Sequence, residues 1–156
     1  MPIKSFRGKI TDGGIDTVSL RTNTGSTGYR IKSFEIMSAT PGVGDVDHVV
    51  KIYTIPQSTA TASVDFADNT LLGAAFLRQD ADAVNITARL GKNIVFDNVT
   101  FNQDIYVTLK NARSGTVDCN YYIELEQISL SLDENTVATL KDIRNIEASI
   151  LWNNIT

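Results

Sequence analysis

Apolar and polar residues alternate with period two through most of the first 132 positions, in short runs broken by Gly, Asn, Asp and Pro. Alternation of this kind marks half-buried β-strands. The runs cover residues 4–10, 15–22, 29–38, 48–55, 71–77, 84–89, 93–96, 105–109 and 120–132. They predict about nine strands at hairpin spacing, and no βαβ alternation. Residues 11–14 read Thr-Asp-Gly-Gly, a turn sequence that supplies positive φ and predicts a β-hairpin joining the first two runs. Residues 23–28, 40–47 and 57–63 read as polar or Gly-bearing loops, and Pro56 ends the strand before it.

Two runs change phase midway. Tyr29 and Ile31 share one parity, whereas Phe34 and Ile36 share the other. Tyr121, Ile123 and Leu125 are likewise followed by Ile128, Leu130 and Leu132 on the opposite parity. A one-residue slip moves side chains to the other face of a sheet. Each change therefore predicts a bulge or a bend at a sandwich corner, the first of them near Lys32 and Ser33. The fold class expected is all-β: an antiparallel β-sandwich or jelly roll with one C-terminal helix.

That helix rests on Val137, Leu140, Ile143, Ile146 and Ile150, spaced three to four apart, with Asp133 or Asn135 as its cap. Ile146, Ala148, Ile150 and Trp152 also alternate with period two, so the last residues fit a strand added to a sheet edge equally well. The organisation read from this is a β-sandwich domain at 1–132, followed at 133–156 by a helix and apolar tail. The tail either belongs to the same domain or forms an interaction arm. Chain ends are usually polar, so an apolar ending suggests docking. Val137, Leu140, Ile143, Ile146, Ile150, Leu151 and Trp152 are the expected partner interface, and removing residues 147–156 is expected to weaken assembly.

Composition narrows the function. The formal net charge is −4 over 156 residues, which argues against a partner such as a nucleic-acid backbone. A single cysteine, Cys119, rules out an internal disulfide and fits synthesis in a reducing cytoplasm. The first residues lack the apolar core of a secretory signal, and no run reaches membrane-spanning length. No membrane partner is expected.

Chemistry-bearing residues are sparse. His48 is the only histidine and reads as a partly exposed residue at a strand start. Cys119 reads as small and half-buried, with no basic neighbour to activate it. The loop pairs Asp12/Asp16, Asp45/Asp47, Asp65/Asp68 and Asp80/Asp82 suit calcium in residue type, but turn formation explains most of them. The expectation is a protein with no catalytic residue, no cofactor and no metal. Most of the scattered aromatics, among them Tyr53, Phe66, Phe76, Phe96, Phe101, Tyr106, Tyr121 and Tyr122, are expected in the core.

Several stretches resemble a family of small proteins of marine tailed bacteriophages and marine viral metagenomes. They include Arg7-Gly-Lys-Ile-Thr-Asp-Gly-Gly14, Gly25-Ser-Thr-Gly-Tyr-Arg-Ile31 and His48-Val-Val-Lys-Ile52. Residues 64–75, 101–107, 120–126 and 138–145 extend the likeness over most of the chain, leaving residues 147–156 outside it. The resemblance implies a virion structural protein that decorates or cements the capsid exterior, made in the host cytoplasm. The expected partners are the major capsid protein or another virion protein, and further copies of the chain as a homo-oligomer. The alternatives are a glycan-binding tail or fibre module, or another tail or connector component.

Overall fold

The computed structural model describes residues 2–20, 26–80, 90–113 and 115–130. Among these the fold is all-β, with eight antiparallel strands in two sheets. The strands are β1 (Ile3–Ile10), β2 (Ile15–Val18), β3 (Thr27–Ser38), β4 (Val46–Tyr53), β5 (Leu71–Gln79), β6 (Leu90–Val95), β7 (Ile105–Asn111) and β8 (Cys119–Ser129). One sheet has the order β1-β8-β3, the other β2-β7-β4-β5-β6. The ladders β1/β8, β2/β7 and β4/β5 are nested one inside another along the chain. This is jelly-roll winding, and β3 and β6 complete it by facing each other across the side of the sandwich. There Asn93 Nδ2 donates to the Phe34 carbonyl at 2.7 Å and to Glu35 Oε2 at 2.8 Å.

Alternation puts the apolar set between the sheets. Ile31, Phe34, Ile123 and Leu125 from one sheet meet Val50, Ile52, Val107 and Leu109 from the other in one continuous core. Each fully buried side chain of this size contributes roughly 1.5–3 kcal/mol, so no cross-link is needed to hold the layers. The predicted phase change in β3 is a β-bulge: its register against β8 shifts between Ile31 and Ser33, which returns Phe34 to the inner face. The second phase change has no bulge, because β8 keeps its register to Ser129. Ile128 and Leu130 therefore lie on the outer face, where Leu130 crosses Gly28 so closely that a Cβ there would stand 2.9 Å from it.

The residue 11–14 turn forms, with Gly13 at φ 76° and Gly14 N–H donating to the Thr11 carbonyl at 2.8 Å. The strands it joins do not pair, however. β1 lies in one sheet and β2 in the other, so the expected hairpin is a crossing between layers. Local turn chemistry is the same in both cases, and the choice belongs to β8 and β7, which claim the two strands. The run at 84–89 and the helix and tail at 133–156 lie outside the described residues.

Candidate contact surfaces

All seven residues expected at the partner interface, Val137 to Trp152, lie outside the described residues. The described body presents two outer sheet faces and a charged end, each built differently.

The outer face of the five-stranded sheet is covered by the long connection from β4 to β5, residues 54–70. Its ends meet where Thr54 N–H donates to the Thr70 carbonyl at 2.9 Å. Asp65 Oδ1 accepts from Ala67 N–H, and Asp68 Oδ1 from Thr70 N–H, both at 2.9 Å. These two aspartates are turn formers, as expected of them. Beneath the loop lies Lys51, an outward-facing β4 residue with 1% of its surface exposed. Its Nζ donates to Thr61 Oγ1 at 2.8 Å and to the Ser63 carbonyl at 2.6 Å, and stands 5.5 Å from the centre of the Tyr53 ring. Burial lowers the Lys51 pKa, with Asp68 acting in the opposite direction. A buried ammonium persists where its donors are satisfied, so Lys51 acts as a latch for the loop. Replacing it by Met should leave the global unfolding midpoint nearly unchanged while residues 54–70 become sensitive to limited proteolysis. Unchanged cleavage kinetics would refute the latch.

The latched loop displays Val64 and Phe66, which are 44% and 56% exposed. The Phe66 ring meets Phe96 edge-on, with centroids 5.4 Å apart. With Val49, Ala74 and Ile94 they line an apolar groove of about 310 Å³.

The outer face of the three-stranded sheet is different. The ladders align Arg7, Tyr122 and Glu35 across β1, β8 and β3, with Lys9, Asn120 and Met37 two residues along. Tyr122 is 38% and Met37 60% exposed. Tyr122 Oη donates to Glu124 Oε1 at 2.7 Å, which fixes the ring and raises the phenol pKa. The two rows flank an open groove of about 700 Å³.

At one end of the sandwich Arg113 gathers three carboxylates. Its guanidinium bonds Asp80, and lies 3.4 Å from Asp47 Oδ2 and 3.8 Å from Asp45 Oδ1. Arg78 adds a second cation, 3.6 Å from Asp80. The hydrogen bond that Arg113 donates to Asp80 raises the Arg113 pKa. The cluster ties the β7–β8 turn to β4 and β5, so Asp45, Asp47 and Asp80 take part in ion pairing. Among the described residues no group of three His, Cys, Asp or Glu side chains is arranged to hold a metal ion.

Three expectations are corrected. Of the eight aromatics expected mostly in the core, Tyr53, Phe101 and Tyr121 are buried, Phe76, Phe96 and Tyr106 are half-buried, and Phe66 and Tyr122 are exposed. His48 is not a partly exposed residue at a strand start but is fully buried on the inner face of β4. The sheet begins two residues earlier than its Gly- and Asp-bearing sequence suggests. Asp47 N–H donates to Asn111 Oδ1, and the Asp47 carbonyl accepts from Ala112 N–H, both at 2.9 Å. Cys119 is fully rather than half buried, and burial pushes its pKa up to about 12, which leaves no reactive thiolate.

Comparison of the chain with protein-family models, curated protein sequences and solved structures finds no match. The surfaces therefore have to be read from their own chemistry. The aligned row through Tyr122 was not marked as a site in the sequence, because its members lie far apart along the chain. The one available signal was Tyr122 itself, an aromatic on the parity opposite to Tyr121, Ile123 and Leu125.

Proposed function

We propose that the protein is a structural component of a bacteriophage virion. In this reading it decorates or cements the capsid exterior through noncovalent protein contacts, in several copies and without catalysis. The observation that carries the reading is the pair Val64 and Phe66, held exposed on a loop fastened by a buried lysine. Exposed apolar groups on a fixed support are suited to binding another protein. Two further points support it. Jelly-roll winding is common to viral capsid and lectin domains, which is an analogy of fold. The sequence also resembles small proteins of marine phages over most of its length.

The partner assigned to the Val64/Phe66 face is the major capsid protein or another protein of the shell. Burying one large apolar side chain is worth roughly 1.5–3 kcal/mol, so Phe66→Ser should weaken binding by about tenfold or more. The measurement is saturation binding of purified protein to particles lacking it, followed by sedimentation. Full-strength binding by Phe66→Ser and Val64→Ser would remove this face from the contact. Failure of the unaltered protein to bind particles would overturn the virion reading.

A further inference from the structure

We propose that the outer face of the three-stranded sheet binds an acidic saccharide in the groove centred on Tyr122. The proposal stands whichever part of a particle, or none, carries the protein, because the groove belongs to the domain itself.

The groove is a consequence of the ladder. Across the three strands, Gly8, Tyr121 and Ile36 form one aligned row, in which the Tyr121 and Ile36 side chains point inward. The backbone of that row is the floor. The rows on either side point outward and stand two residues apart, about 7 Å. One wall is Arg7, Tyr122 and Glu35, and the other is Asn120 and Met37, with Lys9 beside them. The resulting trough runs across the strands, and its volume of about 700 Å³ lies within the range of small-ligand sites.

The chemistry of the walls selects the occupant. β8 is the central strand and is hydrogen-bonded on both sides, so the floor has few main-chain groups to offer an extended peptide. Recognition falls to the side chains. These are an aromatic ring, a thioether, an amide, a carboxylate and a guanidinium. A pyranose matches this set, with an apolar C–H face for the Tyr122 ring and hydroxyls for Asn120 and Glu35. Tyr122 is held in place by its bond to Glu124, and Glu35 by its bond from Asn93, so little ordering is needed on binding.

Charge decides the class of sugar. Arg7 and Lys9, exposed at the β1 end of the groove, form no ion pair with any described residue. A carboxylate on the sugar fits there, and Arg presents a planar fork that matches it. A chain of uronic acid residues is therefore the ligand assigned.

The test is calorimetric titration of the full chain with tetragalacturonate, its fully methyl-esterified form, and maltotetraose. Saturable binding is expected for the acid, with about tenfold or greater weakening in Tyr122→Leu and in Arg7→Gln. Tyr122→Trp should retain binding, because the aromatic face is kept. Lys4→Gln, on the same strand but outside the groove, should change affinity by less than about twofold. Unfolding midpoints of the variants show whether each remains folded, and all four substitutions replace exposed side chains. Absence of saturable binding by the acid overturns the proposal. So does equal affinity of Tyr122→Leu, or a loss in Lys4→Gln as large as in Arg7→Gln, which would mark diffuse attraction to a basic strand. Equal binding of the methyl ester would overturn the assignment to an acidic sugar.

Discussion

Gly8→Ala is expected to destabilise the protein by ~1–3 kcal/mol, the usual cost of overpacking a filled site. The sign is the informative part. At an ordinary strand position the same change reduces the freedom of the unfolded chain and stabilises by about 0.4–1 kcal/mol. Gly8 stands opposite Tyr121 in the β1/β8 ladder, and both face inward. The Tyr121 ring passes over Gly8, and its Oη donates to Asp16 Oδ2 on β2 at 3.1 Å. A Cβ on residue 8 would lie 2.6 Å from that oxygen and 2.8 Å from the ring carbon bearing it. The ring cannot swing aside without giving up the strut that joins the two sheets. Burial, reinforced by Asp16, pushes the Tyr121 phenol up to about 12, so the bond keeps its proton throughout the neutral range. Urea unfolding of a double-mutant cycle isolates the contact. In a Tyr121→Leu background the Gly8→Ala penalty should vanish or change sign. A stabilising Gly8→Ala in the unaltered protein would show that the strut yields freely.

His48→Leu should stabilise the protein near neutral pH and flatten its acid sensitivity. His48 is fully buried, and neither ring nitrogen has a hydrogen-bond partner among the described residues. An unsatisfied buried polar group costs about 1–3 kcal/mol, which a leucine of similar size would relieve. The charged form is disfavoured further. Burial lowers the His48 pKa below its ordinary 6.5, against the opposing pull of Asp12 in the first turn, Asp118 before β8 and Asp47 on β4. A folded-state pKa below the unfolded value means that the unfolded chain binds the proton first. The stability tied to neutral His48 is thus fully present above about 6.5, and is lost as pH falls toward the folded value. The loss has a limiting slope of about 1.4 kcal/mol per pH unit. Unfolding midpoints of both proteins between pH 7.5 and 5 read this directly, since the carboxylates contribute to each. Parallel profiles for the two would refute a buried, unpartnered imidazole.

Much of the fold was legible because a strand writes its burial into its own residues. Ile105, Val107 and Leu109 alternate with half-buried or small polar neighbours, and they line the core. The phase change at Lys32 and Ser33 called for a bulge or a bend, and a bulge is there, because a buried face tolerates no slip of one residue. The same reasoning failed at Ile128. An apolar residue on the wrong parity has two remedies, bending the strand or leaving the side chain outside, and sequence alone does not distinguish them. His48 was misplaced for a related reason. Asp45 and Asp47 look like loop residues, yet Arg113 pairs with both carboxylates and Asn111 accepts from the Asp47 N–H, all from another part of the chain.

Neither outer-face surface was legible as a site. Val64 and Phe66 gain their exposure from Lys51 beneath the loop, and the Tyr122 groove needs three strands side by side. The sequence by itself determined most of the described strands, the alternation that lines the core, the irregularity at Lys32 and Ser33 and the turn at Gly13, because each depends on neighbours within a few residues. Only the tertiary structure decided which strands share a sheet, that Tyr121 reaches across 105 positions to Asp16, and that Arg7, Tyr122 and Glu35 form one row. Pairing of distant strands is set by the packing of the whole core, a sum over many residues that no local pattern carries.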